Sequence, residues 1–228
     1  MTVLVSTIRA LKYHGFIDKK NDNKKALKDG LINISKHVDI LKSFNIPYLI
    51  VINHFSDDTK EEIDYLLNWA NKNNHPISFV NSYAKGSIGA LDAANKIVSL
   101  SNNSSTLIKT YNKEDDLFTK ANKVATKIYG ANQVKYSKNA LKKLKQLNIN
   151  YHSLPICIAK TPLSFSNNPK LRAQASNFDL EIDDVRLSRG AGFVVLLTKG
   201  IITLPGLPKK PNALDMFIND DGIIYGKL

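Results

Sequence analysis

The chain has one cysteine, one tryptophan and four arginines among its 228 residues. A lone Cys157 cannot close an internal disulfide, which excludes a stapled secreted scaffold and a thiolate zinc site. A reducing, cytoplasmic setting is expected. No stretch approaches the ~20 apolar residues that cross a bilayer. The apolar start Val3-Leu4-Val5 breaks at Ser6-Thr7 without a signal-peptide core or cleavage site. No Gly-x-x-x-x-Gly-Lys-Ser/Thr run occurs, so these residues hold no P-loop for nucleoside triphosphate phosphates. Gly190-Ala191-Gly192 lacks the third spaced glycine and precedes an apolar strand, which excludes the dinucleotide fingerprint. The five histidines show neither His-Glu-x-x-His nor His-x-His spacing, and no metal site is expected.

The scarcity of arginine also decides what the charge means. Lys and Arg number 32 against 20 Asp and Glu, a formal net charge of +12. Proteins that read nucleic-acid grooves lean on arginine for bidentate contacts. Here the cations are lysines scattered among asparagines, as in Lys19-Lys20, Lys24-Lys25, Lys142-Lys143 and Lys209-Lys210. They read as solvated surface, and a basic nucleic-acid-binding protein is the weakest functional reading. A positive surface can still speed the arrival of small polyanions. The 43% of hydrophobic residues suffice for a core, so a disordered chain is excluded.

What is present reads as α/β. Val3-Leu4-Val5 suits a buried strand that delivers Ser6, Thr7 and Arg9 at its carboxyl end. Asp18 to Asn23 is a polar loop. From Lys24 the spacing of Leu27, Leu31, Ile34, Val38 and Leu41 predicts an amphipathic helix. Tyr48 to Ile52 is a continuous apolar run, expected as a strand buried on both faces. Thr59 with Glu62 forms a capping box opening a helix that buries Ile63, Leu66, Leu67 and Ala70, with Trp69 as packing. Ile77 to Val80 is a further strand, followed by a loop over 81–89 and a helix burying Leu91, Ala94, Ile97 and Val98. This alternation predicts a parallel sheet, and ligands bind such sheets outside the carboxyl ends of the strands. The loops at 53–58 and 81–89 both fall there.

Two more helices follow, one carrying Leu117 to Ile128 and stopping at Gly130, the other starting after Ser137. Beyond 153 the texture turns to short strands at 154–158, 178–182, 192–197, 201–204 and 217–225, with Cys157 expected as a buried structural thiol. The fold class is a parallel-sheet α/β domain followed by a smaller α+β domain, preceded by a remnant strand of a P-loop-type domain. The corresponding divisions are 1–23, 24–112 and 113–228.

Five stretches carry a family resemblance, in order. Val5-Ser6-Thr7-Ile8-Arg9-Ala10-Leu11-Lys12-Tyr13-His14-Gly15 comes first, then Ile52-Asn53-His54-Phe55-Ser56-Asp57-Asp58-Thr59. Ala159 to Ser166, Asp184 to Phe193 and Leu204 to Pro211 complete the set. The chain thereby resembles the carboxyl-terminal part of the formate–tetrahydrofolate ligases. That resemblance implies ATP-dependent formation of 10-formyltetrahydrofolate through formyl phosphate, in one-carbon metabolism. It implies ATP with Mg2+ and tetrahydrofolate as ligands of the intact enzyme, and a homo-oligomer. It also implies a missing amino-terminal half carrying the P-loop, so that these residues alone are expected to be inactive and to bind no cofactor tightly. Neither nucleic acid nor membrane is implied as a partner.

By the same resemblance, the pterin ring lies between the loop phenylalanine, Phe55, and a second aromatic at Tyr83, where the family has tryptophan. Ser82, Lys85 and Gly86 complete the folate side, and no catalytic residue is assigned. Arg9 and Lys12 are candidates for a phosphate or subunit contact, and Lys160 with Thr161 carries the same ambiguity. Arg186 and Arg189 are expected to hold loops or a subunit contact. Departures from the family include Ser56 for proline, Phe16 for glycine and a glycine-poor run from Gly86 to Ala90, which stiffens that loop. A folate-binding module without catalysis and a decayed remnant are the alternative readings. An exposed apolar edge along Val3 to Val5, prone to association, is a further expectation.

Overall fold

The computed structural model describes residues 1–15, 23–159, 165, 177–199, 201 and 209–226. Phe16, Lys160, Thr161, all but the last residue of the polar loop expected at 18–23 and all but the first residue of the strand expected at 201–204 lie outside them. The first sheet contains β1 (Thr2–Ser6), β2 (Tyr48–Asn53) and β3 (Ile77–Val80), in the order β1-β2-β3 with both pairings parallel. Residues 1–23 therefore contribute a strand to the same sheet as the segment that follows. Helices α1 (Ile8–Gly15), α2 (Asn23–Ser43), α3 (Lys60–Lys72) and α5 (Leu91–Ser101) accompany it, with a single short turn of helix, α4 (Ser82–Lys85), between β3 and α5.

The apolar run in β2 is buried on both faces, as expected. Ile50 and Ile52 face a core made with Ile8, Leu11, Leu27, Leu31, Ile34 and Leu66, while Leu49 and Val51 meet Ala93 and Ile97 of α5. β1 is different. In register, Val3 lies beside Leu49 and Val5 beside Val51, on the α5 face. Val3 and Val5 are nevertheless exposed, and only Leu4 packs on the core. The expectation of a buried first strand is corrected accordingly: among the described residues β1 is an edge strand, and no helix covers its Val3–Val5 face.

Residues 8–15 form a helix that the sequence reading did not anticipate. Thr7 starts it, its Oγ1 accepting from the Ala10 amide at 2.9 Å. The helix packs on α2 through glycine, because a Cβ at Gly15 would overlap the Ala26 carbonyl and one at Gly30 the Leu11 carbonyl. The helix expected from Lys24 appears as α2, burying Leu27, Leu31, Ile34 and Val38. The Thr59–Glu62 capping box opens α3 with both reciprocal bonds present. At its far end Trp69 lies against His75, with ring centroids 5.1 Å apart, and His75 Nδ1 is 2.8 Å from the Tyr48 hydroxyl.

The buried face of α5 is rotated from the expected one. Ala93, Ile97 and Leu100 turn inward, whereas Leu91, Ala94 and Val98 are exposed. Polar ties set this angle: Asp92 accepts from Ser78 Oγ at 2.5 Å, and Lys96 Nζ donates to the Ile77 carbonyl at 2.8 Å.

The second sheet has the order β4-β6-β7-β5, from β4 (Val134–Tyr136), β5 (Ile156–Ala159), β6 (Leu180–Ser188) and β7 (Phe193–Thr198). β4 and β5 pair parallel to β6 and β7, which are antiparallel to each other. α6 (Leu117–Val124), a π-helical turn ending at Gly130, and α7 (Lys138–Tyr151) with its Ser137 cap cover the core of this sheet. Lys120 is fully buried here, its amine donating to the carbonyls of His152 and Leu154 at 2.5 and 3.1 Å. Burial lowers its pKa. Cys157 is exposed, not buried, because β5 is the edge of the sheet and the residue faces outward from it. The strand expected over 217–225 is instead a hairpin, β8 (Phe217–Ile218) and β9 (Ile224–Tyr225).

Candidate functional site at the carboxyl edge of the first sheet

Because the three strands of the first sheet are parallel, their carboxyl ends open on one edge. Asn53 is in register with Val80, and the His54 amide donates to the Val80 carbonyl at 2.9 Å. The loops carrying Phe55 and Tyr83 therefore leave from neighbouring positions, and Ser6-Thr7 lies one strand away. This is the edge where α/β sheets bind ligands.

The Phe55 loop is held by its own carboxylates. Asp58, whose side chain is almost fully buried, accepts from the Phe55 amide at 2.8 Å and lies 3.2 Å from His54 Nδ1, while its amide donates back to the Phe55 carbonyl. Above the half-buried ring stands the Arg9 guanidinium, 4.6 Å from the centroid. A guanidinium over an aromatic face is attractive through the ring quadrupole. Arg9 is fixed in turn by Asp57, with one guanidinium nitrogen 3.0 and 3.1 Å from the two carboxylate oxygens. The hydrogen bond from Arg9 holds the Asp57 carboxyl below the usual carboxylate range. The sequence reading identified Arg9 and Phe55 separately and missed Asp57 and Asp58. An Asp-Asp pair just before a helix cap was the available signal.

Lys12 lies one turn further along α1. Its amine meets Glu62 Oε1 at 2.7 Å, and Glu62 Oε2 accepts from the Thr59 amide at 3.0 Å. Desolvation pushes the Glu62 pKa up, but the hydrogen bonds from Lys12 and Thr59 outweigh it and the net shift is downward. Both cations considered for a phosphate or subunit contact thus have carboxylate partners within the chain.

The second loop is open. Asn81 caps α4, accepting from the Ala84 amide, and its own amide donates to the Gly89 carbonyl at 3.0 Å. Gly89 has no room for a side chain, since a Cβ would overlap the Asn81 carbonyl. Ser82, Tyr83, Lys85 and Gly86 are all exposed, and Tyr83 is completely so. The Phe55 and Tyr83 rings do not touch. Gly86 has φ of +58° and open space where a side chain would stand. Among the described residues no group of three or more His, Cys, Asp or Glu is arranged to hold a metal ion. A cleft of about 580 Å3 between the starts of α2 and α3 is lined by residues such as Leu27, Glu62 and Tyr65 and includes none of the folate-side candidates.

No helix among the described residues is long and apolar enough to cross a membrane. In comparison with known proteins, the chain is 40% identical over 228 residues to proteins named formate–tetrahydrofolate ligase from Staphylococcus aureus strains JH9, Newman and COL. The alignments cover 98% of this chain and 41% of each relative, so the chain spans about two-fifths of the length of these curated relatives. The family model described as formate–tetrahydrofolate ligase matches residues 1–228, and the chain belongs to that family.

Proposed function

We propose that this chain supplies the tetrahydrofolate-side surface of an ATP-dependent ligase that forms 10-formyltetrahydrofolate from formate. The observation that carries the reading is the launch of one aromatic from each of two adjacent parallel strand ends, Phe55 after β2 and Tyr83 after β3, in a chain of this family. A flat pterin suits two such faces, and stacking on each contributes about 0.5–1.5 kcal/mol beyond area burial. Arg9 backs the Phe55 ring and fixes its plane. Tyr83 closes over the ligand from the open loop, Ser82 offers a hydroxyl, and Gly86 lets the ligand approach the backbone. The Lys85 ammonium suits the carboxylates of the folate glutamate.

ATP does not fit these residues in the same way. The sequence holds no P-loop, and Arg9 and Lys12 are engaged by Asp57 and Glu62. No phosphate or Mg2+ step is assigned to this chain.

Calorimetric titration with tetrahydrofolate under reductant tests the proposal. Saturable binding is expected, weakened about tenfold by Phe55→Ala, which corresponds to roughly 1.4 kcal/mol. Tyr83→Trp should tighten it by enlarging the stacking face. Absence of saturable binding, or equal affinity in Phe55→Ala, would overturn the assignment. The chain assayed alone with ATP, formate and tetrahydrofolate should show no turnover.

A further inference from the structure

His54 belongs to the carboxyl edge of the first sheet, yet the stacking arrangement makes no use of its ring. Its amide donates to the Val80 carbonyl at 2.9 Å, so the residue sits where the loops after β2 and β3 diverge, next in sequence to Phe55. The imidazole is anchored through one nitrogen. Nδ1 lies 3.2 Å from Asp58 Oδ2, the same oxygen that accepts from the Phe55 amide at 2.8 Å. An ionised carboxylate only accepts, so Nδ1 carries the hydrogen of that contact, and in the neutral ring the lone pair is left on Nε2.

The two side chains differ in access. Asp58 is 4% exposed and His54 24%. Among the described residues no group bonds to Nε2, and that nitrogen is not sealed from solvent. The other charged groups of the edge are occupied or open to water. Arg9 is paired with Asp57 and Lys12 with Glu62, while Lys60 and Glu61 at the start of α3 and Lys85 in α4 are exposed. Asp58 is therefore the carboxylate that orients the ring. A carboxylate that fixes the tautomer of an imidazole and leaves its other nitrogen free prepares that nitrogen to accept a proton or a hydrogen bond. A reduced pterin and its bridging arylamine present N–H donors of the matching kind.

We propose, resting on the folate-side assignment of this edge, that Asp58 and His54 form its proton-accepting subsite: Nε2 of the neutral imidazole accepts from an N–H of the bound folate. Asp58 is the positioning residue. A protonated ring would set a second donor against the ligand's donor, so binding selects the uncharged imidazole and weakens as pH falls.

Calorimetric titration of the full chain with tetrahydrofolate under reductant, from about pH 8 to about pH 5, tests this over the range in which imidazoles titrate. The affinity is expected to fall about tenfold toward the acid end, and buffers of different ionisation enthalpy should report a proton released on binding there. His54→Gln, whose amide oxygen can accept but cannot titrate, should flatten the profile and abolish the proton release. His54→Phe, with no acceptor, should weaken binding about tenfold at the alkaline end. Asp58→Asn keeps an oxygen for the Phe55 amide but frees the imidazole to take the other tautomer, and should also weaken binding. If that variant fails to fold, the two His54 variants carry the readout. An unchanged pH profile in His54→Gln, or equal affinity in His54→Phe, overturns the subsite and leaves folate binding at this edge standing. Absence of saturable binding by the unaltered chain at every pH overturns both.

Discussion

Removing the Glu62 carboxylate should destabilise the chain by about 2–4 kcal/mol. The side chain is only 10% exposed and its partner Lys12 only 19%, so solvent does not screen the pair as it would at the surface. Glu62→Ala removes the half of the capping box that satisfies the Thr59 amide, and it strands a mostly enclosed ammonium. At about 2–4 °C per kcal/mol for a chain of this size, the unfolding midpoint should fall by roughly 4–16 °C. A cycle with Lys12→Met isolates the ion pair, and a coupling of about 1–3 kcal/mol is expected. The pH dependence adds a signed test. Glu62 has its pKa lowered below the ordinary 4.5, so its contribution is fully present above that value and is lost as pH falls through the folded-state pKa. The stability gap between wild type and Glu62→Gln should therefore be flat near neutrality and close in acid. Denaturant titration at several pH values measures it. A loss under about 0.5 kcal/mol, or zero coupling with Lys12, would refute the view that this pair ties α1 to the start of α3.

Gly30→Ala forces a methyl group into the Leu11 carbonyl and should cost about 1–3 kcal/mol or more, whereas Gly190→Ala, with open space around it, should stay within about 0.5 kcal/mol. Parallel chemical denaturation distinguishes them. Lys120→Met keeps the apolar stem but leaves the His152 and Leu154 carbonyls without their donor; a loss of about 2–3 kcal/mol is expected by the same measurement. Exposed Cys157 should react with a thiol reagent in the native chain within about tenfold of its rate in denaturant, and strong native protection would contradict the edge position of β5.

Where the chain makes its contacts by apolar period, the sequence was readable. α2 and β2 announce themselves by spacing and by an unbroken run, and the α3 cap by Thr59 and Glu62. α1 is hard to read because it is short and buries only Ile8, Leu11 and Gly15, the last of which carries no hydrophobic signal although Gly15 and Gly30 bring the two backbones together. β6 runs past 182 because an irregularity between Ile182 and Asp184 shifts its inward phase, so strict alternation ends too early. The hairpin turn was marked by Asn219-Asp220-Asp221-Gly222, a turn signal overlooked within an apolar stretch. For the candidate site, the parallel-sheet rule and the resemblance brought out Phe55 and Tyr83. The stacking of Arg9 on Phe55 was not legible, because it depends on β1 lying beside β2, which no local pattern encodes.

Trp69 is the one indole in the chain, and its neighbour His75 precedes β3 while Tyr48 begins β2. All three sit at the opposite end of the strands from Phe55 and Tyr83. Burial holds the His75 pKa below its ordinary 6.5, so near neutrality the ring beside the indole is uncharged and becomes an imidazolium only in acid. Tryptophan emission consequently reads out the assembly of the sheet and the protonation of a single neighbouring imidazole. It gives the molecule an optical channel for folding that is spatially separate from the edge where folate is proposed to bind.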